Sequence, residues 1–127
     1  MRKSVDIETA LYELLTADGY SASAHSVPAT LGDDFPHVHV VGQTVFNEDL
    51  VRDVNTVAFD IYAATQADAM EAASDLTAWV RDLVGEIVGT PCYQAEIINK
   101  YPNPDPRHPN IGRATIRAQI TVRIQEG

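Results

Sequence analysis

Hydrophobic residues recur along this chain with two periods, and the switches between them predict an order of elements. Near the start, Ile7, Leu11, Leu14 and Leu15 stand at i, i+4, i+7 and i+8, one face of a helix. Ser4 or Asp6 offers a side-chain oxygen to the free N–H groups of the first turn, and Gly19 suits the left-handed position past the end. A helix this short is marginal alone, so its apolar face must dock on something. Tyr20 to Val27 alternates loosely and predicts a short strand. Residues 28–36 hold two prolines, a glycine and two aspartates, and predict a loop. His37 to Thr44 predicts a second strand, with Val38 and Val40 on one face and His37 and His39 on the other, solvated face. Asn47 to Asp53 is polar around Leu50 and Val51 and predicts an excursion or hairpin connection.

The second half is patterned more strongly. Val57, Phe59 and Ile61 alternate with Thr56, Asp60 and Tyr62 in a third strand rich in β-branched and aromatic residues. A helix follows from about Ala67 to Val84, with Thr65 as N-cap and Asp68 three residues later, a variant of the capping box. Ala69, Ala72, Ala73, Leu76, Val80 and Leu83, with Trp79 beside them, make its apolar stripe. The alanine end is slim enough to approach a sheet closely. Gly89 and Pro91 end this region, and a strand from Cys92 to about Lys100 places Tyr93, Ala95 and Ile97 opposite Gln94 and Glu96. Prolines 102, 104, 106 and 109 remove four backbone donors from the next segment, which predicts a stiff, protruding loop. The last strand alternates longest: Ala114, Ile116, Ala118, Ile120, Val122 and Ile124 against Arg113, Thr115, Arg117, Gln119, Thr121 and Arg123. The order α-β-β-β-α-β-β predicts an α+β fold, a mostly antiparallel twisted sheet with two helices on one face. The opposite face is left half-covered and open to an oligomeric contact.

The length, 127 residues, suits a single domain over 1–127 with a core that needs no metal or disulfide. Nine basic against eighteen acidic residues leave a formal charge of −9, which disfavours tight, non-specific binding to nucleic acid. The one cysteine, Cys92, excludes an internal disulfide and reads as a small buried hydrophobe. Asp6, Glu8 and Glu13 interrupt the N-terminal region where a signal peptide needs an apolar run, and no run reaches membrane-spanning length. These features predict a cytoplasmic setting and no membrane partner.

Candidate chemistry is sparse. His37 and His39 share a strand face, and with Asp33, Asp34 or a recruited His25 they would make a zinc site. The plainer reading is two polar residues on a solvated face. There is no G-x-S-x-G elbow, and the glycines form no phosphate-cradling loop. The acidic pairs Asp33-Asp34 and Glu48-Asp49 lie in hydrophilic loops and read as solvated. No enzymatic activity, cofactor or metal is expected. Basic residues do gather in the last quarter: Arg107, His108 and Arg113 around the proline loop, then Arg117 and Arg123 on the polar face of the last strand. They read either as a solvated face with local ion pairs or as a basic edge meeting the acidic surface of a neighbouring copy. Tyr101, at the mouth of the loop, is the aromatic best placed for an interface. These six are the candidate subunit-interface or tube-interface residues.

Taken together, Pro36-His-Val-His-Val40, then Asn55 to Thr65 running straight into an alanine-rich helix, then Tyr101-Pro-Asn-Pro-Asp-Pro-Arg-His-Pro109 before Arg113 to Arg123, carry a resemblance. The chain resembles the tail terminator proteins of long-tailed bacteriophages, particularly those of actinobacterial hosts. The likeness covers most of the chain and rests on element order and strand–helix phrasing. It implies a structural virion protein that closes as a ring, a homo-hexamer, on the head-proximal end of the tail tube. Such a protein stops tube growth and presents the joining surface for the head. The implied partners are further copies of itself, the tail tube protein and a head-completion or connector protein. DNA would cross the lumen without specific binding, which suits an acidic chain. The alternatives are a head-completion or connector protein of the same virion, and a small metal- or ligand-binding domain using His37 and His39.

Overall fold

The computed structural model describes residues 2–3, 6–28, 34–47 and 51–126. In chain order the elements are β1 (Arg2–Lys3), α1 (Ile7–Ala17), β2 (Ser21–Ala24), β3 (His37–Asn47), β4 (Arg52–Ala63), α2 (Gln66–Arg81), β5 (Gly85–Ile87), β6 (Thr90–Pro102), β7 (Gly112–Arg123) and β8 (Gln125–Glu126). The fold is α+β. Six strands form one sheet in the order β2-β3-β4-β7-β6-β5, while β1 and β8 pair separately near the two ends of the chain. Every pairing in the large sheet is antiparallel except β2 with β3.

Register turns the sequence alternation into two faces. Val38, Ile61 and Ala114 lie side by side on β3, β4 and β7, as do Val40, Phe59 and Ile116. This inner face packs against both helices. Ile7, Ala10, Leu11 and Leu15 of α1, and Ala69, Ala73, Leu76 and Val80 of α2, are buried in one cluster with it. Fully burying a side chain of Leu or Ile size contributes roughly 1.5–3 kcal/mol, so this cluster is the main source of stability.

The helix ends follow the expected chemistry. Asp6 caps α1, its Oδ1 accepting from the Thr9 N–H at 3.2 Å, and Gly19 beyond the end has φ +92°. Ser4 lies outside the described residues. Thr65 caps α2, its Oγ1 accepting from the Asp68 N–H at 3.1 Å.

Four expectations need correction. His37 and His39 are not solvated: they are 6% and 7% exposed. Tyr93 does not share a face with Ala95. The register between β6 and β7 shifts between Cys92 and Gln94, so Cys92 and Ala95 face the core and Tyr93 is expelled. A further strand, β5, precedes β6 and turns into it through Val88 and Gly89, both at positive φ, a two-residue turn of the I′ kind. The proline segment does not protrude freely. Asp105 at its centre is 3% exposed, and the loop is held back against the outer face of the sheet. That outer face is itself less open than alternation suggests, since Thr115 and Thr121 on it are buried.

Candidate functional site

The outer face is built as cross-strand rows. Ser23, His39, Asp60, Thr115 and Tyr101 lie opposite one another on β2, β3, β4, β7 and β6. The next row is Ser21, His37, Tyr62 and Arg113. Because side chains alternate across each strand, these rows gather the polar residues of five strands into one continuous patch. The proline loop closes one end of it.

At that end Asp105 is the hub. Its Oδ1 accepts from the Arg107 backbone N–H at 3.0 Å, and its Oδ2 lies 3.1 Å from His108 Nδ1 and 3.5 Å from Arg113 Nη1. The backbone donor, the His108 hydrogen bond and the two arginine charges hold this carboxyl down at about 2, against a desolvation cost from burial. Arg113 is drawn inward by more than this one pair. Its Nε donates to the Asn103 carbonyl at 2.6 Å, and its guanidinium stands 5.8 Å from the centre of the Tyr62 ring. Gln66 at the start of α2 brackets the same residue, accepting from the Arg113 N–H at 3.1 Å and donating to its carbonyl at 2.7 Å.

The six interface candidates therefore share one side of the molecule but differ in availability. Arg107 and Arg123 are exposed. Tyr101, His108 and Arg117 are half-buried; His108 meets the edge of Tyr62 at 6.2 Å, and Arg117 Nε donates to Gln43 Oε1 at 3.2 Å. Arg113 is occupied internally by Asp105, Asn103 and Tyr62.

At the other end of the patch is a cluster that sequence reasoning missed. Ser21 Oγ lies 2.7 Å from His37 Nδ1, and Ser23 Oγ lies 2.8 Å from both His37 Nε2 and His39 Nδ1. Burial lowers the pKa of both rings; His39 lowers that of His37 further, whereas Asp60 and Glu8 partly offset the burial of His39. Both nitrogens of His37 and one of His39 are thus engaged by serines. Among the described residues no group of three or more His, Cys, Asp or Glu side chains is placed to hold a metal ion. The sequence signal was Ser-x-Ser sixteen residues before His-x-His, which is informative only once the two strands are known to pair in parallel.

Elsewhere, Asp68, Glu71 and Asp75 stand on one exposed side of α2 and, with Phe35, Pro36 and Ala72, line an open pocket of about 290 Å³. Cys92 is buried, which pushes its thiol pKa up and leaves it unreactive at neutral pH. Two buried acceptors on β4, Asp53 Oδ2 and Asn55 Oδ1, have no hydrogen-bond partner among the described residues. No helix among the described residues is long and apolar enough to cross a membrane. Compared with known proteins, the chain matches no family model and no curated sequence.

Proposed function

We propose that this chain is a structural assembly protein, the tail terminator of a long-tailed phage. In this reading copies close into a ring, a hexamer, on the tail tube, stop its growth and present the joining surface for the head. The observation that carries it is the state of the sheet edges. β2 pairs only with His37–Val40, so the remainder of β3 has no strand on that side among the described residues. β5 pairs only with Thr90–Cys92, so the remainder of β6 has none on the other. Exposed apolar residues mark both borders, Val45 and Phe46 on one, Tyr93 and Ile98 on the other. Long strands with exposed apolar residues at their edges are avoided in monomers. Two unlike borders on opposite sides of one sheet suit a heterologous contact, which closes into a ring when its rotation allows.

Charge supports the same reading. Exposed Arg107 and Arg123 on the outer side, and the carboxylates of Asp68, Glu71 and Asp75 on α2, are complementary surfaces on different sides of one copy. Such pairs orient neighbours more than they tighten them. Neither the ring nor the tube contact calls for a catalytic group, a cofactor or a metal. The partners would be other copies, the tail tube protein and a head-side connector, with assembly in the host cytoplasm and residence in the virion. DNA would pass a lumen of like charge without specific contacts.

The test is absolute mass by light scattering across a concentration series, alone and with tube protein. A closed species near six chains, formed alone or on the tube, is the expected result. A chain that stays monomeric with tube protein but binds the head-side connector would transfer the reading to a head-completion protein. Stoichiometric metal retained after purification and lost in His39→Ala would transfer it to a metal-binding domain.

A further inference from the structure

Strand β2 is a weak edge. It has four residues, forms the one parallel pairing among the described strands, and adds only Ala22 and Ala24 to its two serines. Burying alanines contributes little, so the serine–histidine contacts are a large part of what ties β2 down. We propose that Ser21, Ser23, His37 and His39 form an acid-sensitive latch, which holds β2 on the sheet when the rings are neutral and releases it when they take up protons. This inference does not depend on the assembly reading above.

The proton inventory explains why neutrality matters. A neutral imidazole carries one N–H and one lone pair, and a serine hydroxyl carries one hydrogen. The three contacts are then satisfied by one directed chain. Ser21 Oγ–H donates to His37 Nδ1, His37 Nε2–H donates to Ser23 Oγ, and Ser23 Oγ–H donates to His39 Nδ1. The same chain also runs in reverse. Each of the three contacts then has one donor and one acceptor. Protonating both rings removes that option. His37 and His39 then both donate to Ser23 Oγ, and the hydroxyl hydrogen of Ser23, a residue 9% exposed, loses its acceptor. Two cations also face each other across one oxygen in a site sheltered from water.

The groups around the pair do not rescue it. His37 has Asp34 nearby, which favours its charged form, with His39 against it and Tyr62 and Arg113 in the same row. His39 has Asp60 across the strand and Glu8 from α1 in favour, and His25 against. Asp60 is partly committed, since its Oδ1 accepts from Thr115 Oγ1 at 2.7 Å. Burial is the largest influence on both rings and opposes protonation. The neutral pair therefore contributes stability that is fully present above about pH 6.5 and is lost as pH falls below that value toward the lowered folded-state pKa values. Releasing β2 uncovers His37–Val40, so the edge of β3 becomes continuous over all eleven of its residues.

Amide hydrogen exchange at pH 7.5 and 5.0, corrected for the intrinsic pH effect, tests this on the full chain, with ¹⁵N titration of the histidine rings alongside. Protection at residues 21–24 should fall at least ten-fold at pH 5.0 while β4 and β7 keep theirs, and the loss should track the His37 and His39 titrations. The double variant His37→Gln, His39→Gln should show β2 protection independent of pH. Unchanged β2 protection at pH 5.0 in the wild type would overturn the latch, whatever the variant does. So would ring titration without loss at β2, or a loss spread evenly over the sheet.

Discussion

A Cβ placed on Gly112 would stand 2.3 Å from the carbonyl oxygen of Thr65. The start of β7 and the cap of α2 are pressed together there, and Gln66 clasps Arg113 immediately beyond. Backbone cannot yield as a flexible side chain can. Gly112→Ala should lower stability by about 1–3 kcal/mol, the usual cost of overpacking. Urea denaturation gives the value, and an unchanged midpoint would mean the two segments part without cost.

Asp105 should make the proline loop sensitive to strong acid. Its carboxyl is lowered from an ordinary 3.8 to about 2, so the stability it contributes is complete above about pH 4 and lost as pH falls through about 2. Asp105→Asn keeps the shape and removes the charge. The stability gap between wild type and variant should be widest above pH 4 and close as pH approaches 2. A gap independent of pH would show that the contacts to the ionised carboxylate, the Arg107 N–H first and then the His108 hydrogen bond and the arginine charges, are not its source.

Val88 is a β-branched residue at φ +47°, a conformation such residues avoid, and its side chain is 54% exposed. Asn is at home in this turn position. Val88→Asn should raise stability by about 1 kcal/mol, read as a higher thermal midpoint. No change, or a lower midpoint, would contradict the strain argument.

Trp79 ties the two helices together. Its Nε1 donates to Asp18 Oδ2 at 2.7 Å, and its ring meets Tyr20 and Phe59 edge-on at 6.2 and 6.3 Å. The packing should outweigh the hydrogen bond. Trp79→Ala should cost about 3 kcal/mol, and Asp18→Ala about 1 kcal/mol or less. Chemical denaturation followed by circular dichroism compares the two, and equal losses would make the bond the dominant contact.

If Arg107 and Arg123 orient neighbouring copies, removing or reversing their charge should weaken assembly without unfolding the chain. The double variant Arg107→Gln, Arg123→Glu should keep the fold by circular dichroism, with at most a small drop in thermal midpoint from the lost 3.5 Å contact of Arg107 Nε with Asp105, yet assemble about ten-fold more weakly with tube protein. Wild-type assembly should also weaken with added salt. Assembly indifferent to both would remove these arginines from the interface.

The sequence by itself determined the elements whose side chains follow one period from end to end. The apolar stripe of α2, the cap at Thr65 and the alternation from Ala114 to Val122 were legible because each depends on contacts within a few residues or on a single face. From these the α+β class and the shared helix-bearing face followed. Three things were decided only by tertiary structure. The parallel pairing of β2 with β3 brought Ser21 and Ser23 onto His37 and His39, and turned two apparently solvated histidines into a buried network. The register shift in β6 moved Tyr93 out of the face its position implied. The fold of the proline loop sank Asp105 and took Arg113 out of the exposed basic set. The first rests on hydrogen bonds between strands distant in sequence and the second on strand register; the third is local, since Asp105 is held by Arg107 and His108 two and three residues on, but a proline loop has no period from which that turn could be read. Local periodicity says which way a side chain points, but not which strand will be laid beside it.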